Sequence, residues 1–452
     1  MGLWEKFKEF RGYAQRPPGT TSYDGFGELD GHRFHLRVDS DKKGVLMVDA
    51  SKLIFLNGTA LDYVSCFLEG LREEEAVRLM RKRYRDLDVD TAKYHYLKTQ
   101  RQLVGYVVQG DESVIQNIGQ ESMNMGADEL PAPYRMDLVL TYKCQNGCLH
   151  CYNEKRPKEE YGLTQWYQVQ ERLWEAGVPH IVFTGGEATL YPHLRELIVH
   201  SEAIGQVTGL ITNGRKLKDR AYLRDLIEAG LDHVQITLLS HRESVHDRLA
   251  GAKGAWKETV EGIKAAVAED IHLVTNTTIM ASNVDEMEDT MRFLISLGVE
   301  NIAFNSIIRS GKGKNTEGID YQRLEEVLDK LNGIAQEEFV KLTWYSPTPY
   351  CDFNPINHGL GIKQCTACSL NMAVEPDGTV LPCQSYYEGL GNILTDSWDS
   401  IWNHELCEEI RGRKYLPEKC SDCELKQLCG GGCPLSLKEG EDGVVCQDWA
   451  SG

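Results

Sequence analysis

Three cysteines, Cys144, Cys148 and Cys151, stand in a Cx3Cx2C spacing within the stretch Cys144-Gln145-Asn146-Gly147-Cys148-Leu149-His150-Cys151. They follow an apolar run, Met136 to Leu140, that reads as a strand. Thiolates are soft ligands suited to zinc, copper or iron–sulfur clusters. A closed structural zinc site wants four protein ligands, and neither a fourth cysteine nor a histidine pair follows at zinc-finger spacing. His150, directly beside Cys151, is poorly placed to serve as that fourth ligand. Three thiolates on a four-iron cluster would leave one iron open to a small molecule. Three core cysteines are the plain alternative, and the polar neighbours Lys143, Gln145 and Asn146 argue against it.

A second motif, Thr184-Gly185-Gly186-Glu187, closes the next apolar run, Ile181 to Phe183. Two successive glycines let backbone approach a ligand closely. In this order, after consecutive strands, the two motifs resemble the radical S-adenosylmethionine (SAM) superfamily. The resemblance implies that Cys144, Cys148 and Cys151 hold a [4Fe–4S] cluster whose fourth iron is chelated by the amino and carboxylate groups of SAM. It implies that Gly185, Gly186 and Glu187 hold the SAM amino group, and that backbone at His150 meets adenine with Tyr152 beside it. Asn213, at the end of the third strand, is a candidate for shaping the pocket, although Asn213-Gly214 also fits an ordinary turn. Thr237 and Ser240 near the fourth strand are candidates for the SAM ribose or carboxylate, with core packing the alternative for Thr237. Asn276 on the fifth strand could face the pocket. His246-Asp247-Arg248 resembles a segment common after the fourth strand. The arginine–glycine pair usual a few residues later is Ala250-Gly251 here, so no arginine role carries over.

A third array lies near the C-terminus: Cys368-x9-Gly378-x4-Cys383, then Cys420-x2-Cys423-x5-Cys429-x3-Cys433, then Cys446. These seven cysteines resemble the SPASM extension of radical SAM enzymes, which binds two auxiliary four-iron clusters. The resemblance assigns Cys420, Cys423, Cys429 and Cys446 to the distal cluster, and Cys383 and Cys433 to the nearer one. Cys351, Cys365 and Cys368 compete for the two remaining places, with Cys365 and Cys368 preferred. Cys66 and Cys407 lack evident partners and read as structural. Gly430-Gly431-Gly432 allows tight backbone around the last thiolates. Three [4Fe–4S] clusters and SAM are therefore the expected cofactors, with an electron donor such as a flavodoxin or ferredoxin. The implied chemistry is reductive cleavage of SAM to methionine and a 5′-deoxyadenosyl radical, followed by hydrogen abstraction from an unactivated carbon.

The elements that must position these residues follow from pattern. The 452 residues have length for two or three domains, and composition is that of an ordinary soluble chain, 41% hydrophobic and 26% charged. No apolar run is long enough to span a membrane. Met1 to Arg11 lacks the apolar stretch of a signal peptide, so a cytoplasmic location is expected. A formal charge of −19 opposes general nucleic-acid binding. Fourteen cysteines in a reducing compartment argue for metal over disulfides.

Residues 12–32, rich in glycine and proline, read as a loose lead-in. Phe34, Leu36 and Val38 then alternate as a half-buried strand, with further strands at 45–48 and 53–56. Asn57-Gly58-Thr59 offers a helix start, and three helices are expected to 104. This winged-helix-like pattern over 1–110 resembles the recognition element of peptide-modifying enzymes, in which a leader peptide adds as a strand to the small sheet. DNA binding through Arg78, Arg81, Lys82, Arg83 and Arg85 is the rival, but Glu73, Glu74, Glu75, Asp86 and Asp88 flank that cluster as on a solvated helix face. A structural cap is the other alternative. Residues 111–133 read as a linker. From 134 to 338, strand and helix alternate, with Gly177, Gly230 and Gly298 each between a helix and an apolar strand. Six strands imply, through the family resemblance, a partial (β/α)6 barrel with its chemistry at the strands' C-terminal ends. Residues 339–452 form the cysteine-rich SPASM domain.

The whole is read as an α/β enzyme that modifies a ribosomally made peptide by crosslink or thioether formation. The alternatives are a maturase of protein side chains, a cofactor-biosynthesis enzyme, and a non-catalytic iron–sulfur electron carrier. Sulfatase-type maturases carry an acid after the residue equivalent to Cys383, where this chain has Gln384. A carrier would need no SAM motif.

Overall fold

The structure is a computed structural model that describes residues 19–38, 42–49, 52–109, 131–154, 159–269 and 271–438. Most of the expected linker, and Cys446, lie outside the described residues. The chain divides into two compact units, one made of the chain up to Ala132 with Leu173–Pro179 and Gly205–Val207, the other of the remainder.

In the first unit, strands β1 (Gly19–Asp24), β2 (Arg33–Val38), β3 (Gly44–Val48) and β4 (Lys52–Leu56) form an antiparallel meander in sequence order. The sequence reading missed β1, placing it inside the lead-in. Its polar residues carry no alternation of their own, and its pairing with β2, Gly19 opposite Val38, is what makes it a strand. Helices follow at Gly58–Leu68, Glu73–Arg83 and Val89–Gln109. Asn57 caps the first, its Oδ1 accepting from Ala60 N at 2.9 Å. Phe34, Leu36, Leu61, Val64, Phe67, Ala76 and Met80, the residues with strand and helix periodicity, join one buried core. Cys66 is buried in it, and burial pushes its thiol up to about 12, as for an inert core cysteine.

The second unit is built on a ten-stranded sheet. Seven strands run in the order β5 (Arg135–Val139), β6 (His180–Thr184), β7 (Val207–Thr212), β8 (His233–Thr237), β9 (His272–Thr278), β10 (Asn301–Asn305) and β11 (Lys341–Trp344), joined by helical crossovers. The six expected strands are all present, and β11 adds a seventh parallel to β10. On the far side of β5, β12 (Asn371–Val374) pairs in parallel and leads into antiparallel β13 (Thr379–Leu381) and β14 (Gly391–Asn392). The cysteine-rich region is thus partly a continuation of the barrel sheet. Apolar runs such as Ile181–Phe183 are fully buried because helices cover the parallel strands. Among the described residues no helix is long and apolar enough to cross a membrane.

Candidate active site

The segment after β5 carries the cysteine triplet as an irregular loop held from several directions. Gly147 and Leu149 donate backbone bonds to Ala250 O (2.9 Å) and Leu249 O (3.0 Å) at the end of helix Glu243–Ala250. Arg215 Nη1 reaches Asn146 Oδ1 at 2.7 Å while its Nε pairs with Glu258 at 2.6 Å. Across the loop, Lys312 N donates to Cys151 O at 2.8 Å and Lys312 Nζ to Gly147 O at 2.9 Å. No motif flags Arg215 or Lys312 in the sequence, because each acts through backbone or side-chain partners far away along the chain.

The glycine pair has a structural explanation that differs from ligand approach alone. A Cβ on Gly185 would lie 2.3 Å from Thr141 O, and one on Gly186 2.5 Å from Lys143 O. The strand end is thus laced to the base of the cysteine loop, with Gly186 N donating to Thr141 O at 2.7 Å and Glu187 N to Lys143 O at 2.9 Å. Any side chain here would push the loop away from β6.

Cys144, Cys148 and Cys151 line one cavity of about 550 Å³, together with His150, Tyr152, Gly185, Gly186, Asn213 and Thr237. These residues lie at or beyond the C-terminal ends of β5 to β8, where the open positions of an α/β barrel gather. Glu187, Ser240 and Asn276 are not among the lining residues. Glu187 is 1% exposed, and its carboxylate accepts from Thr189 N (3.1 Å), Thr189 Oγ1 (2.7 Å), Thr212 Oγ1 (2.7 Å) and Asn213 N (2.8 Å). It braces the end of β7. Ser240 is buried in a network with Glu286 and Arg242. Asn276 sits opposite Thr237 in the sheet with its Oδ1 buried and unpartnered.

The thiols suit a cationic cluster. Burial, then the adjacent Cys151 and Cys144, push the Cys148 thiol up to about 12. A thiolate at Cys148 therefore needs positive charge beside it, which iron supplies. Asn146 N lies 3.4 Å and Asn213 Nδ2 4.0 Å from the Cys144 sulfur, placing amide donors beside a prospective ligand. His150 is held down to about 4 by burial, so it is neutral at ordinary pH.

His246, which sequence reasoning noted only as part of a common segment, also lines this cavity. It is 2% exposed and accepts a bond from Leu239 N at its Nδ1 (3.1 Å). Asp247 has a different task, capping helix Ala255–Ala268 by accepting from Gly254 N and from Trp256 N at 2.8 Å.

Among the C-terminal cysteines, burial, then the charges of Cys433 and Cys383, raise the Cys365 thiol. Burial, then Cys423 and Cys429, raise that of Cys420. Cys429 Sγ accepts from Tyr350 N (3.2 Å) and Gly431 N (3.3 Å), as thiolate ligands commonly do. Gly430, Gly431 and Gly432 all have positive φ, 61°, 74° and 83°, which accounts for the triplet at this turn. Cys407 does have a partner, against expectation: it is bonded to Cys368, with Cα atoms 5.2 Å apart. Helix Glu405–Arg411 folds over the turn at Cys368, with Arg411 Nη1 donating to Cys368 O at 3.0 Å, a contact no local pattern reveals. Cys351 is disulfide-bonded as well. In this state Cys365 is the free thiol of the three competitors for the nearer cluster.

Two bridges tie this region to the SAM-type cavity: Tyr142 OH to Glu375 at 2.8 Å, and Tyr387 OH to Asn153 Oδ1 at 3.1 Å.

Comparison with known proteins agrees with this geometry. Residues 138–294 match the radical SAM superfamily, and residues 340–424 match SPASM, an iron–sulfur cluster-binding domain. The PqqA peptide cyclase of Bradyrhizobium diazoefficiens is 27% identical over 336 residues, 69% of this chain and 84% of that protein. Streptococcus suis SuiB bound to precursor peptide SuiA superposes with a TM-score of 0.64 at 15% identity, covering 89% of this chain and 97% of that one. Native anSMEcpe with bound AdoMet and Kp18Cys peptide gives 0.56 at 18% identity, covering 69% and 91%. The two structures establish a shared fold. The cysteine loop, the glycine-laced strand end and the two matched domains together make this chain a radical SAM enzyme with a C-terminal SPASM iron–sulfur domain.

Proposed function

We propose that this enzyme functionalises carbon–hydrogen bonds in a ribosomally made peptide, forming a crosslink or thioether, and that its N-terminal unit grips a leader segment. The observation that carries the reading is the joining, in one chain, of a cysteine-lined SAM-type cavity to a separate small antiparallel sheet whose outer strands are β1 and β4. An outer strand can accept an extended peptide through backbone hydrogen bonds. A peptide substrate is supported by the PqqA peptide cyclase and by the peptides in the SuiB and anSMEcpe structures. Of the basic side chains of helix Glu73–Arg83, Arg83 is engaged with Asp62 at 2.8 Å.

SAM bound beside a reduced cluster supplies a 5′-deoxyadenosyl radical. The chain's own residues hold SAM in place, exclude water and present the substrate. Cys144, Cys148 and Cys151 hold the first cluster. Cys365, Cys383 and Cys433, with Cys368 in its reduced, thiol form, would hold the nearer auxiliary cluster, and Cys420, Cys423, Cys429 and Cys446 the distal one. Residues 1–110 serve recognition, 134–338 the radical chemistry and 339–452 the auxiliary clusters. A cytoplasmic flavodoxin or ferredoxin provides electrons. Gln384, whose Oε1 is buried without a partner, is an amide and cannot accept a proton as a carboxylate base would, which disfavours the sulfatase-maturase reading.

The test is binding of candidate precursor peptides to the full chain and to a variant lacking residues 1–110. Binding should depend on that segment, and equal affinity without it would reject the recognition role.

A further inference from the structure

His246 holds an unused hydrogen-bond donor against the SAM cavity. Its Nδ1 accepts the backbone N–H of Leu239 at 3.1 Å, so that nitrogen carries no proton. In a neutral imidazole the proton then sits on Nε2. Nε2 is buried, has no hydrogen-bond partner, and belongs to a cavity-lining residue that is 2% exposed. A buried donor left unpaired is costly, so a ligand that brings an acceptor gains affinity from it.

The surroundings indicate which part of a ligand that is. Leu239 and Ala250, which line the cavity with His246, belong to an apolar cluster that Cys148 adjoins. An apolar wall with one neutral donor suits an uncharged heterocycle or sugar, and suits an amino-acid zwitterion poorly. We propose that His246 Nε2–H donates to an acceptor on the adenosine half of SAM and so positions the nucleoside. The methionine half is left to the iron and to the segments beside Cys144. The ring also couples the ligand to the chain leaving β8, because the bond from Leu239 N fixes its orientation and tautomer.

Two substitutions separate the ligand contact from the structural one. Asn in place of His keeps an acceptor near the Nδ1 position for Leu239 N–H and removes the Nε2 donor. Gln keeps a donor near the Nε2 position. Equilibrium dialysis on iron-loaded protein, with SAM, 5′-deoxyadenosine and methionine as separate probes, reads the effect without turnover. His246→Asn should weaken SAM and 5′-deoxyadenosine about tenfold, the size of one buried hydrogen bond, and leave methionine unchanged. His246→Gln should recover most of that loss. Iron content and circular dichroism confirm that each variant is folded and loaded. Wild-type affinity of His246→Asn for 5′-deoxyadenosine overturns the proposal. An equal loss for methionine overturns it too, by moving the contact off the nucleoside.

Discussion

Replacing Glu187 with glutamine should loosen the end of β7 even when no SAM is present. The wild-type carboxylate accepts four hydrogen bonds, three at Oε1 and that of Asn213 N at Oε2. Glutamine can satisfy the first three through its carbonyl oxygen, but its amide group then faces the Asn213 N–H, donor against donor. The charge that strengthened all four bonds is also gone. Hydrogen bonds to charged groups contribute about 1.5–3 kcal/mol, and a buried donor left unpaired costs about 1–3 kcal/mol. A local loss of about 2–3 kcal/mol follows. Hydrogen–deuterium exchange resolved to the peptide around Asn213 and Gly214 is the suitable assay, because local opening is governed by local free energy. At tenfold per 1.4 kcal/mol, exchange there should accelerate about thirty- to a hundredfold. Gln145 Nε2, which bonds Asn213 Oδ1 at 3.3 Å, should share the disturbance, and with it the cysteine loop. Exchange within about threefold of wild type would refute this account of Glu187. Acceleration confined to SAM-bound protein would show instead that the carboxylate acts at the ligand.

Iron analysis after anaerobic reconstitution should give about twelve irons per chain for three four-iron clusters. Cys383→Ala should lower this by about four, whereas Cys407→Ala should leave it unchanged; iron loss in Cys407→Ala would make that residue a ligand. Acid stability offers a further check. Burial first, then Arg135 and His272, hold His233 down from 6.5 to about 3, in a ring pair with His180 at 2.8 Å between Nε2 atoms. A histidine lowered on folding contributes fully above its unfolded value, and that contribution is lost as pH falls from about 6.5 towards 3. The thermal midpoint should therefore drop through that window, and His233→Phe should flatten part of the drop. Parallel slopes for the two proteins would show that another group is responsible.

Much of the site was legible because its ligands are local. Cys144, Cys148 and Cys151 lie within one loop, Gly185 and Gly186 end one strand, and all five line one cavity. The core of the first unit was legible for the same reason, since Phe34, Leu36, Ala76 and Met80 announce their faces by period. What escaped was non-local. The grip of Lys312 on Gly147 and of Arg215 on Asn146 depends on where distant loops meet. Glu187, which the family resemblance assigns to the SAM amino group, has partners across the sheet on Thr212 and Asn213 that no local spacing announces. Strand β1 and the Cys368–Cys407 bond were invisible because each is defined by a partner in three dimensions.

The pairing of β12 with β5 has a consequence for any attempt to divide this protein. A cut near residue 338 looks reasonable from the sequence, but it would strip the neighbour from β5, the strand that feeds the cysteine loop. It would also remove β11 from beside β10. An excised radical core would thus carry raw edges on both sides of its sheet, open to self-association. The auxiliary region is better regarded as part of the core's own scaffold, and grafting it between relatives would require transplanting the register of Asn371 on Arg135 along with its cysteines.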